Sequence, residues 1–187
     1  KVMDELPKIH EWEVNQIVAL QKEFGLEGND SIACSDLLTL VFTSKAFFGE
    51  MELSENFSFI GPVLNSRKAE IPFDWDSFHA IKKPKILVSI GTTFDHEHKK
   101  SFFAKVVEAF AEENLQVVVV SDPNLFEEWP SNFTVQQQVP QLDLLPHLTA
   151  VVCHGGHNTV CETLMNGLPM VVIPIAYDQR HVAGGVF

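Results

Sequence analysis

From Lys85 onward the chain alternates between short apolar runs and longer stretches in which apolar residues recur every three or four positions. Lys85 to Ile90, Leu115 to Val120, Phe133 to Gln137, Ala150 to Cys153 and Met170 to Ile173 read as strands. His98 to Glu112 reads as a helix, with Phe102, Phe103, Val106, Val107 and Phe110 on its buried side. His157 to Asn166 reads as another, and a third starts at Gln179. Strands alternating with helices predict βαβ units around a parallel sheet. Upstream, residues 1–30 are helical in texture, with Ile9, Trp12, Gln16, Ile17 and Leu20 on one side and Gly25 and Gly28 breaking the pattern. Asp36 to Phe42 and Phe57 to Ile60 read as two further strands, the second ending at Gly61-Pro62. Between the halves, Asn65 to Pro84 holds Pro72, Pro84 and the pair Lys82-Lys83, which predicts a linker. Its Asp74-Trp75-Asp76 imitates a divalent-cation grip, but it follows no strand and reads as a solvated turn with Trp75 packed down.

Composition narrows the chemistry. The 187 residues, 45% hydrophobic, can form one good core or parts of two domains. A net charge of −12 argues against a nucleic-acid partner, and it means that any bound phosphate must be held by local N–H groups. The three cysteines, Cys34, Cys153 and Cys161, have no metal spacing and build no disulfide framework, which suits a reducing compartment. Asp95-His96-Glu97-His98 reads as the charged start of a helix, so no metal is expected. No apolar run reaches eighteen residues and no signal-peptide pattern opens the chain, so a cytoplasmic location and no transmembrane segment are expected.

Ala150 to Gln179 organises the rest. A strand, the turn His154-Gly155-Gly156, a helix and a second strand follow in order. Glycines at a strand's carboxyl end let backbone approach a ligand, and the following helix directs unpaired amides and its positive dipole end into the same space. Such a turn is an anion site. Asn158 and Thr159 stand in the first helical turn, where they can cap the helix or bond a phosphate oxygen, and Gly167 and Pro169 close the helix. In an open parallel sheet, ligands bind beyond the carboxyl ends of the strands. Three such ends carry suggestive residues: Gly91-Thr92, Gln138-Val139-Pro140-Gln141 and the His154 turn.

The set His154-Gly155-Gly156-His157-Asn158-Thr159, Glu162, Gly167-Leu168-Pro169, Pro174 and Asp178-Gln179, with Gln138-Val139-Pro140-Gln141 upstream, resembles the donor-binding signature of family 1 glycosyltransferases. These are nucleotide-sugar-dependent enzymes of the GT-B fold, UDP-glycosyltransferase-like and macrolide-glycosyltransferase-like. The resemblance implies an α/β chain with two Rossmann-like domains, the first present only as its end. Phe59-Ile60-Gly61-Pro62 matches the family's exit from the first domain. It makes residues 1–62 the end of an acceptor domain, 63–84 the interdomain linker and 85–187 a donor-binding domain incomplete at its carboxyl end. The chain is accordingly expected to be truncated at both ends.

The same resemblance assigns roles. Gly91, Thr92, His154, Asn158 and Thr159, with the backbone of Gly156 and His157, would hold the donor phosphates. Gln138 stands where many members have an aromatic residue stacking on the nucleobase, Val139 would read the base edge, and Gln141 and Glu162 would reach the ribose. Asp178 and Gln179 would bond the transferred sugar. His147 is read as structural support, and His157, where plant members have tryptophan, keeps only a backbone role.

The implied reaction is inverting, metal-independent transfer of a hexose from a UDP-sugar or dTDP-sugar to a hydroxyl of a small-molecule or lipid acceptor, without a cofactor. The catalytic base would be a histidine in the missing amino-terminal part. Nothing in residues 1–62 matches it, and His10 sits on a helix face that reads as exposed. The chain alone is expected to bind donor weakly and transfer nothing. Two rival readings stay open, a sugar-nucleotide epimerase of the same fold and a donor-binding module that needs a partner chain. A dehydrogenase is disfavoured because no G-x-G-x-x-G follows the first strand of the sheet.

Overall fold

A computed structural model describes residues 2–25, 37–49, 52–63, 70–91 and 96–186. The chain forms two compact units, Lys1–Gly61 and Pro62–Phe187. The first holds helix α1 (Val2–Glu23), strand β1 (Thr39–Val41), helix α2 (Lys45–Phe48) and strand β2 (Phe57–Phe59). The two strands pair in parallel, with Thr39 opposite Phe57. Ser44 caps α2, its hydroxyl oxygen accepting from the Phe47 amide at 3.1 Å. Phe48 then packs edge-on against Phe59, with ring centres 5.2 Å apart. The apolar run read as a strand from Asp36 is regular only over three residues. With a single pairing partner among the described residues, little holds the ends of the run in a ladder, and Leu38, Leu40 and Phe42 remain exposed.

The second unit carries α3 (Trp75–Ala80), β3 (Lys85–Ser89), α4 (His96–Phe110), β4 (Gln116–Val120), β5 (Phe133–Gln136), α5 (Gln141–Leu144), β6 (Ala150–Cys153), α6 (His157–Met165), β7 (Met170–Val172) and α7 (Gln179–Gly184). Short 3-10 turns occupy Pro123–Leu125 and Leu145–His147. All five strands are parallel, in the order β5-β4-β3-β6-β7. Central strands of a parallel sheet are covered on both faces, which is why Leu87, Val88, Val117, Val118, Val119 and Val151 form near-continuous apolar runs and are all fully buried. Phe103 anchors α4 in this core beside Ile86, Val88, Val117 and Val119. The chain starts in the middle of the sheet at β3, fills one side with β4 and β5, and then crosses to the other side with β6 and β7. The strand order therefore reverses between β3 and β6, where crevices open in folds of this class.

Two local features depart from the sequence reading. Asp74-Trp75-Asp76 is the start of helix α3 rather than a turn. Asp74 is its N-cap, and its Oδ1 accepts from the Ser77 amide at 3.0 Å. The Ser77 side chain and then this amide bond, with a smaller contribution from the Asp76 backbone, hold the Asp74 carboxyl below its ordinary range. The other feature is Asn132, buried just before β5. Its Nδ2 donates to the carbonyls of Phe110 at 2.9 Å and Leu115 at 3.2 Å, tying the end of α4 to the start of β4. Among the described residues no helix is long and apolar enough to cross a membrane.

Asn132→Ala should lower the unfolding free energy by about 2 kcal/mol, because buried carbonyls lose their donor. The shift is read as a lower urea midpoint by tryptophan fluorescence. Asn124→Ala removes only one exposed side-chain bond, from Asn124 Nδ2 to Asp122, keeps the backbone amide bond to the same carboxylate, and should leave the midpoint in place.

Candidate functional site

At the reversal of strand order, two glycine turns face each other. Gly91 follows β3 with φ 75°, and Gly155 follows β6 with φ 88°. A Cβ at Gly155 would lie 2.9 Å from Val172 Cγ1 and 3.1 Å from the Gln179 carbonyl, so only glycine lets this turn pack against β7 and α7. Gly91 and Gly156 serve His154. A Cβ on Gly91 would come within 2.9 Å of His154 Nε2, and one on Gly156 within 2.7 Å. The imidazole thus sits in a slot made by two absent side chains, one from each strand end.

Gly156 is also the N-cap of α6 and supplies no side-chain cap. The first α6 amide bonded back along the helix is that of Val160, to the Gly156 carbonyl. The amides of Asn158 and Thr159 therefore point out of the helix end, where the dipole favours an anion. Neither side chain closes that end, so the capping role considered for them is not taken up.

Beside this end lies a cleft of about 270 Å³, lined by Asn158, Thr159 and Glu162 of α6, Val139 to Asp143, and Ile71. Glu162 stands one helical turn beyond Asn158 and is only 6% exposed. Its Oε2 accepts from Gln141 Nε2 at 2.6 Å, and the same nitrogen lies 3.4 Å from Thr159 Oγ1. A carboxylate has about four acceptor positions and Gln141 fills one, so further donors can be met from the cleft. Pro140 precedes α5, and the Gln141 amide turns back to the Val139 carbonyl at 2.8 Å, which sets Gln141 facing α6.

The structure thus brings Val139, Gln141, Asn158, Thr159 and Glu162 onto one cleft, and Gly91, Gly156 and His154 into the adjoining slot. Gln138 is exposed, one residue before the buried Val139, and does not line the cleft. His157 holds the end of α6, its Nε2 3.5 Å from Cys161 Sγ. Asp178 is exposed at the N-cap of α7 and close enough for its charge to act on His154. Gln179 is buried, and its Oε1 accepts from the amides of Ile175 and Ala176, each at 2.8 Å. That carbonyl is taken up in bracing the loop after β7. Thr92 lies outside the described residues, as do Asp95 and Cys34. His147 does not line the cleft; it joins an aromatic cluster with Trp75, Phe78 and His79.

Three lining residues escape the sequence reading: Ile71, Leu142 and Asp143. Leu142 and Asp143 follow Gln141 in α5, so a helical turn there would have pointed to them. Ile71 reaches the cleft through tertiary packing alone and leaves no local signal.

Burial pushes the His154 imidazole below its ordinary value of 6.5, while the Ser89 backbone and then the Asp178 charge pull it back up. Burial likewise raises the thiols of Cys153 and Cys161, the latter helped by the Glu162 charge, and both cysteines are free. They are therefore protonated thiols rather than nucleophiles at neutral pH. No group of three or more metal-ligating side chains occurs among the described residues.

A family model described as UDP-glucoronosyl and UDP-glucosyl transferase matches residues 35–186. The NDP-glycosyltransferase YjiC of Bacillus subtilis is 33% identical over 191 residues, covering 98% of this chain and 47% of that protein. Its counterpart in Bacillus licheniformis is 36% identical over 155 residues, covering 78% of this chain and 37% of that protein. Among solved structures, the glycotransferase of kitacinnamycin superposes with a TM-score of 0.70 at 26% identity, over all of this chain and 52% of that one. This chain thus spans about half the length of the proteins it matches.

Two predictions follow from the slot. Gly156→Ala should leave the chain folded, since the imidazole it meets is a movable side-chain end, but should shift the His154 ring signals in a proton–nitrogen spectrum. Gly155→Ala meets backbone and should lower the melting temperature instead. The second concerns pH. Because the folded His154 is held below 6.5, acidification through that value protonates the unfolded chain first and removes stability. Melting temperature should therefore fall between about pH 7 and 5.5, and His154→Asn should flatten that slope.

Proposed function

Because the chain belongs to the UDP-glucoronosyl and UDP-glucosyl transferase family, we propose that it carries the donor half of an inverting glycosyltransferase that takes a hexose from a UDP-sugar. In this reading the nucleoside occupies the cleft, with Val139 at the base edge and Gln138 at its open rim. Glu162, oriented by Gln141, accepts from the two ribose hydroxyls. The diphosphate lies at the amino end of α6, held by the Asn158 and Thr159 amides and side chains, the backbone of Gly156 and His157, and a ring N–H of His154. Gly91 and Thr92 close the phosphate site from the β3 side. The transferred sugar then extends toward Asp178, positioned by the loop that Gln179 braces.

The observation that carries this reading is Glu162. A buried carboxylate with one neutral donor, 2.6 Å away, calls for more donors from the cleft it lines. A ribose presents two adjacent hydroxyls and a deoxyribose presents one, which favours UDP over dTDP.

In the transfer, a lone pair of the acceptor hydroxyl forms the new bond to the anomeric carbon as the bond to the diphosphate oxygen breaks, inverting that centre. The leaving diphosphate gains negative charge beside fixed amides and a neutral imidazole donor, so stabilisation is already in place and no metal is required. We assign the general base, and most of the pocket for a small-molecule or lipid acceptor, to the remainder of the enzyme, since the chain spans 47% of its Bacillus subtilis relative. The whole enzyme then works in the cytoplasm, where nucleotide sugars are available.

Calorimetric titration with UDP, dTDP, GDP and NAD tests the reading. UDP should bind selectively, dTDP roughly ten-fold more weakly, and Glu162→Ala should lose about ten- to a hundred-fold in UDP affinity, the range for one to three kcal/mol of lost hydrogen bonding. A folded chain that ignores all four nucleotides, or a Glu162→Ala variant that binds UDP as the parent does, overturns it.

A further inference from the structure

The loop after β7 holds a backbone outlier. Tyr177 has φ 57°, and every other described residue with a positive φ is a glycine. The turn that imposes this value is fixed from both sides. The Gln179 amide donates to the Ala176 carbonyl at 3.3 Å, while Gln179 Oε1 accepts from the Ile175 and Ala176 amides at 2.8 Å each. Tyr177 is thus the first central residue of a four-residue turn, and Asp178, at φ −74° and ψ −7°, is the second. That pattern matches a type II′ turn, whose first central position ordinarily takes glycine. An L side chain there is strained, and the strain persists because the surrounding bonds dictate the backbone.

Packing does not offset that strain. Tyr177 is 73% exposed, so its ring buries little apolar surface. Among the described residues the ring meets no other aromatic ring and its hydroxyl takes part in no hydrogen bond. For folding alone, glycine would serve this turn better. A side chain that strains the backbone and returns almost no contact to the fold points to a ligand.

The position of the turn says which one. A Cβ at Gly155 would lie 3.1 Å from the Gln179 carbonyl, so the turn that Gln179 braces sits on the glycine turn that follows His154. Resting on the donor reading above, we infer that Tyr177 determines donor specificity as an aromatic platform for the C–H face of the transferred hexose. A pyranose carries C–H bonds on one side of its ring and hydroxyls around its edge. The phenol ring, negative on its face, meets the C–H bonds, and the neighbouring Asp178 carboxylate accepts from edge hydroxyls. The strained turn sets platform and carboxylate side by side. Tyr177 thereby separates a sugar-loaded donor from the bare nucleotide.

UDP and UDP-glucose are titrated separately into the chain and into its Tyr177→Gly and Tyr177→Phe variants. Glycine removes the ring and suits the positive φ, whereas phenylalanine keeps the ring and the strain. UDP should bind all three alike. UDP-glucose affinity should fall about three- to ten-fold in Tyr177→Gly, the range for one aromatic contact, and stay at the parent's level in Tyr177→Phe. The melting temperature of Tyr177→Gly should equal or exceed the parent's, because relief of strain accompanies the loss of the ring. The platform is overturned by unchanged UDP-glucose affinity in Tyr177→Gly, by an equal loss for UDP, by a matching loss in Tyr177→Phe, or by a lowered melting temperature in Tyr177→Gly. A parent that binds UDP but not UDP-glucose overturns the platform alone. A parent that binds neither overturns the donor reading, and the platform falls with it.

Discussion

The site depends on how closely two strand ends approach at the reversal of the sheet. Gly91 and Gly156 leave out the two methyl groups that would collide with His154, so one imidazole fills the gap between the carboxyl ends of β3 and β6. The rest is arranged around that contact. The strand order reverses there, the amino end of α6 opens there, and the loop after β7 is braced against it by Gln179. A larger residue at either glycine would fill the slot and move the one side chain that both strand ends share.

Charge is handled locally. A chain with net charge −12 repels an anion at long range, so attraction has to come from oriented dipoles at contact distance. The end of α6 supplies those dipoles, and burial keeps His154 neutral, so the slot adds a hydrogen-bonding ring without a fixed positive charge. Glu162 is the converse, a buried acceptor at the far side of the same cleft. One helix therefore offers donors at its tip and an acceptor one turn later, an arrangement matched to a molecule with an anionic end and a hydroxylated end.

Much of this is legible in the sequence because burial on both faces writes itself as apolar runs. The five strands of the second unit appear within one or two residues of their read positions, and the spacing from Asn158 to Glu162 places both on one side of α6. Legibility stops where tertiary packing decides. Ile71 joins the cleft from a stretch whose prolines read as linker, and Asp74 starts a helix whose six residues are too few to show a period. The acceptor role of Gln179 toward Ile175 and Ala176 is equally hidden, since a glutamine that braces a loop and one that bonds a sugar look alike in sequence. Thr92 lies outside the described residues, so its placement is read from the sequence alone.

The parallel pair β1 and β2 has a dynamic corollary. Two strands of three residues shelter few amides, and no further strand lies beside them among the described residues. Their backbone is expected to deuterate through local opening at low free energy, while the buried Leu87, Val118 and Val151 in the five-stranded sheet should exchange only when the second unit opens as a whole. A deuterium-uptake time course would therefore divide into two phases, and the boundary between them would mark how far the cooperativity of the larger sheet extends along the chain.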